Sequence, residues 1–221
     1  MPIIVISRGT FSGGEALAAA VAKRLAYRCV SREDVVAVAQ AYGVPAEEIS
    51  AAIDKRPSLL NRMVADQTVY LVFMRAALCE RARGDQLVYH GHLGQLLLPG
   101  ITHVLSVRVV ADREYRIRAI ERDHQLGPDE ARAYLERVDT ERRDWTRFLF
   151  GVDWNDPLLY DLVLNMSRMT LETACTLVTD AAHRPEFQPT TASRQALEEL
   201  TRRSWAEVRS RIGIGPPSQT S

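Results

Sequence analysis

Gly9, Gly13 and Gly14 stand in the run Gly9-Thr10-Phe11-Ser12-Gly13-Gly14, the spacing of a loop that wraps a phosphate. Such a loop works because glycine-permitted dihedrals let successive backbone N–H groups point at one anion, at the positive end of the helix that follows. A lysine and a serine or threonine ordinarily come next, the first as a point charge near the β- and γ-phosphates and the second as a magnesium ligand. Here those two positions are Glu15 and Ala16. The main-chain cradle is present and both side-chain additions are missing. The run reads either as a nucleotide-phosphate site or as a tight structural turn. Arg8, immediately before the loop, is a partial stand-in for the lysine or a plain strand-end charge.

Other chemistry rests on arginine. Lys23 and Lys55 are the two lysines among 28 basic residues, and arginine's planar fork suits bidentate phosphate contacts; a coding bias explains the excess equally well. Arg137, Asp139, Arg142 and Arg143 share a helical stretch. There Asp139 is spaced i+3 and i+4 from Arg142 and Arg143, so its carboxylate can steady both guanidinium groups. Both signs of charge are mixed between residues 112 and 147, which also describes a solvated face laced with ion pairs. His90 and His92 alternate around Gly91 at a strand end, without a third metal ligand nearby. Asp156 before Pro157 reads as a turn, and no Ser-His-Asp or Cys-His set is legible.

These residues need elements to hold them. "PIIVIS" (2–7) is a short β-branched run of the kind buried in a parallel sheet, and "EALAAAVAKRLA" after the glycines is a helix. "REDVVAVAQAYG", closed by Gly43, and "PAEEISAAI" read as helices, and 59–83 as a longer one with an apolar stripe. "QLVYHGH" (86–92), "HVLSVRVVA" (103–111) and "YDLVLN" (160–165) read as strands. An Arg-rich helix follows over 112–124. A second begins at Pro128, with Ala131, Tyr134, Leu135, Val138, Trp145, Phe148 and Leu149 on one face. "TLETACTLVTDAA" closes the alternation. Strands alternating with helices predict a parallel sheet covered on both faces. Past residue 184, Pro185 and Pro189 flank a linker, 193–212 is an amphipathic helix, and the end of the chain is expected to fray.

The bulk numbers exclude several classes. Of 221 residues, 46% are hydrophobic and 25% charged, an ordinary globular composition. The net charge is +0, so no global field draws in nucleic acid or an anionic membrane. Cys29, Cys79 and Cys175 form neither a disulfide framework nor a zinc pattern, and no apolar run is long enough to span a bilayer. A cytoplasmic location is the expectation.

In order along the chain, "ISRGTFSGGEALAAAVAKRL", "VYHGHLGQLLLP", "HVLSVRVVADREYRIRAIERD" and "AYLERVDTERRDWTRFLFGVDWNDPLLYDLVLNMSRMTLETA" resemble the cytidylate kinase-like family, relatives of the nucleoside monophosphate kinases, over about residues 2–183. "FGVDWNDPLLYDLVLNMSRMTLETA" is the most specific part. The resemblance implies a three-layer αβα P-loop-type fold over 1–184, with an Arg-rich helical lid within 112–150. A C-terminal helical appendage over 185–221 is a candidate surface for a second copy or a protein partner. It implies ATP with Mg2+ as donor and a nucleoside monophosphate such as CMP as acceptor. By the same resemblance Arg8, Gly9, Thr10, Phe11, Ser12, Gly13, Gly14, Glu15 and Ala16 would hold the donor phosphates, and Arg168 after Asn165 would neighbour the adenine or cap a helix. Arg116, Arg137, Arg142 and Arg143 would act on the transferring phosphoryl group, and Arg32 and His92 would face the acceptor. Three positions depart from the family pattern: Glu15 replaces a basic residue, His92 an arginine, and Val30-Ser31-Arg32-Glu33 stands for Tyr-Asp-Arg-Glu. The alternative they imply is a pseudokinase that binds nucleotide or a partner without turnover.

Overall fold

A central β-strand, β1 (Ile3–Arg8), organises the molecule. Its side chains alternate, Ile3 and Val5 entering one apolar core and Ile4 and Ile6 the other, as the period of two requires of a strand covered on both faces. The computed structural model describes residues 1–35, 64–91 and 94–212, and the side chains of all of these but 64–70. Among them, β2 (Arg28–Ser31), β3 (Leu87–Gly91), β4 (Val104–Val110) and β5 (Leu162–Asn165) join β1 in a parallel sheet of order β2-β3-β1-β4-β5. The chain leaves β1 toward β2 and leaves β4 toward β5, in opposite directions. The carboxyl ends of β1 and β4 therefore flank a topological switch point, where open α/β sheets bind ligands. The amide of Gly9 donates to the Val109 carbonyl at that point, 3.1 Å away.

Helices α1 (Gly14–Leu25) and α6 (Leu171–Ala182) cover one face, through Leu17, Ala18, Val21, Ala174, Cys175 and Val178. On the other lie α2 (Val64–Ala82), the short α3 (Gly94–Leu97) and α7 (Thr191–Ile212). The C-terminal helix α7 is firmly seated: Leu197, Trp205 and Val208 are buried in the same core as Phe73 and Leu78. Polar contacts hold its flanks, Arg83 to Glu198 at 2.7 and 2.9 Å and Arg194 to Asp85 at 2.9 and 3.0 Å. No helix among the described residues is long and apolar enough to cross a membrane.

Two helices packed on one another, α4 (Arg113–His124) and α5 (Pro128–Phe150), form the Arg-rich lid. Asp112 caps α4 by accepting from the Tyr115 amide, and Pro128 opens α5 behind Gly127. The pair has its own small core of Ile117, Ile120, Ala131 and Leu135, against which Phe11 of the glycine loop packs. Farther along α5, Trp145, Leu149 and Phe150 join the sheet's core. Phe148, expected on the same face, is instead 37% exposed and stacks on Trp145. Of the helices expected at 32–43, 45–53 and 59–83, the described residues hold a helical turn at 32–35 and α2 from Val64, and the rest, like the end expected to fray, lies outside them.

Candidate functional site

The glycine loop turns tightly between β1 and α1. Phe11 at φ 53° and Gly13 at φ 83° occupy left-handed backbone conformations; for Phe11 this is uncommon and costs strain. Its ring is held against His124 and Tyr134, with centroids 5.2 and 6.2 Å away. The Ser12 hydroxyl lies 3.0 Å from the Gly9 carbonyl and 3.1 Å from that of Val109, to which it donates, tying the loop to β4. Two positions require glycine. Gly13 has the positive φ, and a Cβ on Gly14 would meet the Arg8 Cβ at 2.5 Å. Among the described residues no side chain caps α1, so its first amides are left for an anion. The buried Thr10 hydroxyl also lacks a partner among the described residues.

A cleft of about 600 Å³ runs along the loop from Arg8 through Ala16, roofed by Tyr115, Ala119, Arg122, Tyr134 and Arg142. A second, smaller pocket of about 140 Å³ opens beside it, walled by Arg32, Glu33, Met74, Tyr89, Trp145 and Phe150. Arg8 and Arg142 line both. Burial, then the nearby charge of Arg8, pulls the Arg142 guanidinium down to about 10, against the opposing pull of Asp139. Positive charge is thus concentrated where the two spaces meet, with Glu15, Glu33 and Asp123 the carboxylates among their lining residues.

The loop residues Arg8 to Ala16, Arg32 and Arg142 are brought together around these two spaces. Glu15 points outward, its side chain 71% exposed and 3.6 Å from the Arg8 guanidinium. The acid at the lysine position therefore partners the neighbouring cation. Arg116 and Arg143 lie one step away, in a chamber that shares Gly9 with the loop cleft. Asp139 was expected to steady Arg142 and Arg143 from the same helix. Instead it binds Arg116 across the lid at 2.5 Å, while exposed Arg143 finds Thr140. Arg137 sits on the outside of α5, 3.6 Å from Glu141 and over the Tyr134 ring. Arg168 is exposed on the turn after β5, two residues past Met166, which flanks Gly13. His92 lies outside the described residues; His90 is buried, and burial together with Arg8 lowers its pKa.

Sequence reasoning missed Arg108, Trp154 and Tyr115. Arg108 was hidden in an apolar strand, and the signal was available: a lone charge between valines at a sheet's carboxyl end. Tyr115 reaches the loop, its hydroxyl 3.5 Å from the position of a Cβ on Gly13.

The uncapped helix start, the orphaned Thr10 hydroxyl and the surrounding guanidiniums fit a polyphosphate. A protein-held metal fits less well: among the described residues no group of three His, Cys, Asp or Glu converges, and Ala16 supplies no hydroxyl. A magnesium ion there would be held by phosphates and water, as that ion often is.

The model of a family described as the cytidylate kinase-like family matches residues 3–168. A cytidylate kinase from Pyrobaculum islandicum is 27% identical over 182 residues, spanning 81% of this chain and 92% of that protein. An uncharacterized protein from Eubacterium ventriosum shares the fold, with a TM-score of 0.63 at 17% identity, over 83% of this chain and 100% of the other.

Proposed function

The chain belongs to the cytidylate kinase-like family, and from that premise we propose that it is an ATP-dependent nucleoside monophosphate kinase with CMP as its acceptor. The observation that carries this reading is the sharing of Arg8 and Arg142 by two adjoining spaces. A donor phosphate chain in one and an acceptor phosphate in the other would meet at these two cations.

Phosphoryl transfer asks the protein for little covalent chemistry and much positioning and charge. In this reading the free amides at the start of α1 and the Thr10 hydroxyl grip the donor's phosphates. Arg32 orients the acceptor's phosphate, and Arg8 and Arg142 neutralise the oxygens of the group in transit. Arg116, held by Asp139, supports the lid above them. An oxygen of the acceptor phosphate attacks the terminal phosphorus of ATP as the bond from that phosphorus to its bridging oxygen breaks. ADP and CDP result. Magnesium arriving with ATP would spread charge over the β- and γ-oxygens, and no step is assigned to a protein-held ion.

Phosphorus NMR of the full chain with ATP, magnesium and CMP, dCMP, UMP or AMP tests this. ADP and CDP should appear in equal amounts, and ATP unchanged with every acceptor would overturn it. Glu15 and Ala16 favour a second reading, a catalytically silent protein that binds nucleotide or a partner as a regulatory module. Its signature is a nucleotide-dependent rise in melting temperature without product.

A further inference from the structure

Beside the glycine loop lies a chamber of about 240 Å³, walled by Gly9, Arg108, Arg116, Asp139, Arg143 and Trp154. It is smaller than the roughly 300–1,000 Å³ of pockets that take drug-sized ligands. One of its walls is Arg108 of β4, only 5% exposed. The Arg108 guanidinium covers the Trp154 ring at 4.2 Å, and Tyr160 fixes that tryptophan by donating its hydroxyl to the Trp154 carbonyl at 2.8 Å. Yet Nη1 of Arg108 has no hydrogen-bond partner among the described residues, and neither do Nε of Arg116 and Oδ1 of Asp139. Ser7, the register partner of Arg108 on β1, is fully buried and its hydroxyl is orphaned as well. Buried polar groups are nearly always satisfied, and a buried charge left unpaired is heavily penalised.

Charge counting gives the sign of what is missing. Asp139 is committed to Arg116 at 2.5 Å, which leaves Arg108 and Arg143 facing the chamber without a carboxylate of their own there. Burial lowers the pKa of Arg108, with Arg116 acting in the same direction and Tyr160 and Asp139 against it. A cation would worsen this environment, and a neutral molecule would satisfy a donor without offsetting the excess of positive charge. An anion able to accept from several donors at once relieves it.

We propose that this chamber is a second oxyanion site, built on Arg108 and Arg143, that takes one tetrahedral oxyanion of the phosphate class. Because Gly9 lines both the chamber and the loop cleft, the oxyanion has two sources: free inorganic phosphate, or the terminal phosphate of a nucleotide resting on the loop with no acceptor bound, before transfer brings it to Arg8 and Arg142. The second source rests on the kinase reading above, and the first does not.

Calorimetric titration of the full chain with inorganic phosphate, at constant ionic strength, tests the site without any nucleotide. The parent should bind phosphate, and Arg108→Leu should lose at least tenfold in affinity, as removing a hydrogen-bonding charge does. Arg143→Gln, on the exposed side of the lid, should lose several-fold and provides the answer if Arg108→Leu does not fold. Repeating the titration with saturating ADP and with a non-hydrolysable ATP analogue separates the sources. Phosphate that binds beside ADP and is excluded by the analogue identifies the terminal phosphate. Phosphate that binds beside both identifies the free ion. A parent that binds no phosphate, whose discrimination between the analogue and ADP is untouched by Arg143→Gln, overturns the proposal. So does phosphate affinity unchanged by the substitutions. If no nucleotide binds at all, the kinase reading fails while the phosphate titration still decides this one.

Discussion

Replacing Arg142 by methionine should weaken ligand binding while leaving the empty protein as stable as before or more so. The guanidinium sits on α5 where the two clefts meet, and burial and Arg8 pull its pKa down to about 10. At ~1.4 kcal/mol per tenfold change in proton affinity, holding that charge in the empty protein costs about 3 kcal/mol. The sign follows from linkage: the unfolded chain holds the proton more tightly, so at neutral pH the group favours unfolding, and the cost is relieved only as pH rises past about 10. Methionine keeps much of the apolar stem and removes the charge. With about 2–4 °C per kcal/mol for a chain of this size, and some packing lost, the melting temperature should stay level or rise by up to about 6 °C. Each charged hydrogen bond to phosphate lost should cost about 1.5–3 kcal/mol, or at least tenfold in affinity. Thermal melts and titrations with ADP and with CMP give both numbers. A melting temperature lower by more than about 4 °C, with both affinities within twofold of the parent, would refute the reasoning and make Arg142 a structural residue.

Other substitutions test neighbouring parts of the account. Glu15→Gln should tighten ADP binding about fivefold by freeing Arg8, because a pair 3.6 Å apart in near-aqueous surroundings is worth about 1 kcal/mol; Glu15→Lys should exceed it, both read by titration at one salt concentration. Gly14→Ala should cost about 1–3 kcal/mol in melts and abolish ADP binding, since its Cβ would displace Arg8. His103, fully buried 3.2 Å from Asp85, has its pKa lowered by burial against the pull of Asp85, with the N-terminus and Arg194 reinforcing the lowering. The unfolded chain then takes up the proton first, so melting temperature should fall as pH drops from about 7 to 5, with a shallower fall in His103→Gln.

What the sequence made legible was whatever depends on local pattern. The β-branched run before the glycines, the alanine-rich helix after them and Pro128 behind Gly127 each specify their element without distant help. β2 did not show because it is four residues long at the sheet edge, with Val30 its one buried side chain. The cradle and the two arginines of the clefts were readable from spacing and family pattern. The pairings were not. Asp139 has local arginines at helical spacing, and the winning partner comes from another helix. Arg108 is understood only when Trp154 and Tyr160 fold over it. The same holds for Glu15, which reads as a repelling charge in sequence and is turned outward beside Arg8 in the fold.

The central claim is that donor and acceptor spaces are separate and meet at Arg8 and Arg142. A bisubstrate analogue, adenosine and cytidine joined by five phosphates, probes it most directly in calorimetric competition. ADP and CMP should bind together, one of each per chain, and a single equivalent of the analogue should displace both. ADP and CMP excluding one another, or an analogue that displaces only one of them, would contradict it.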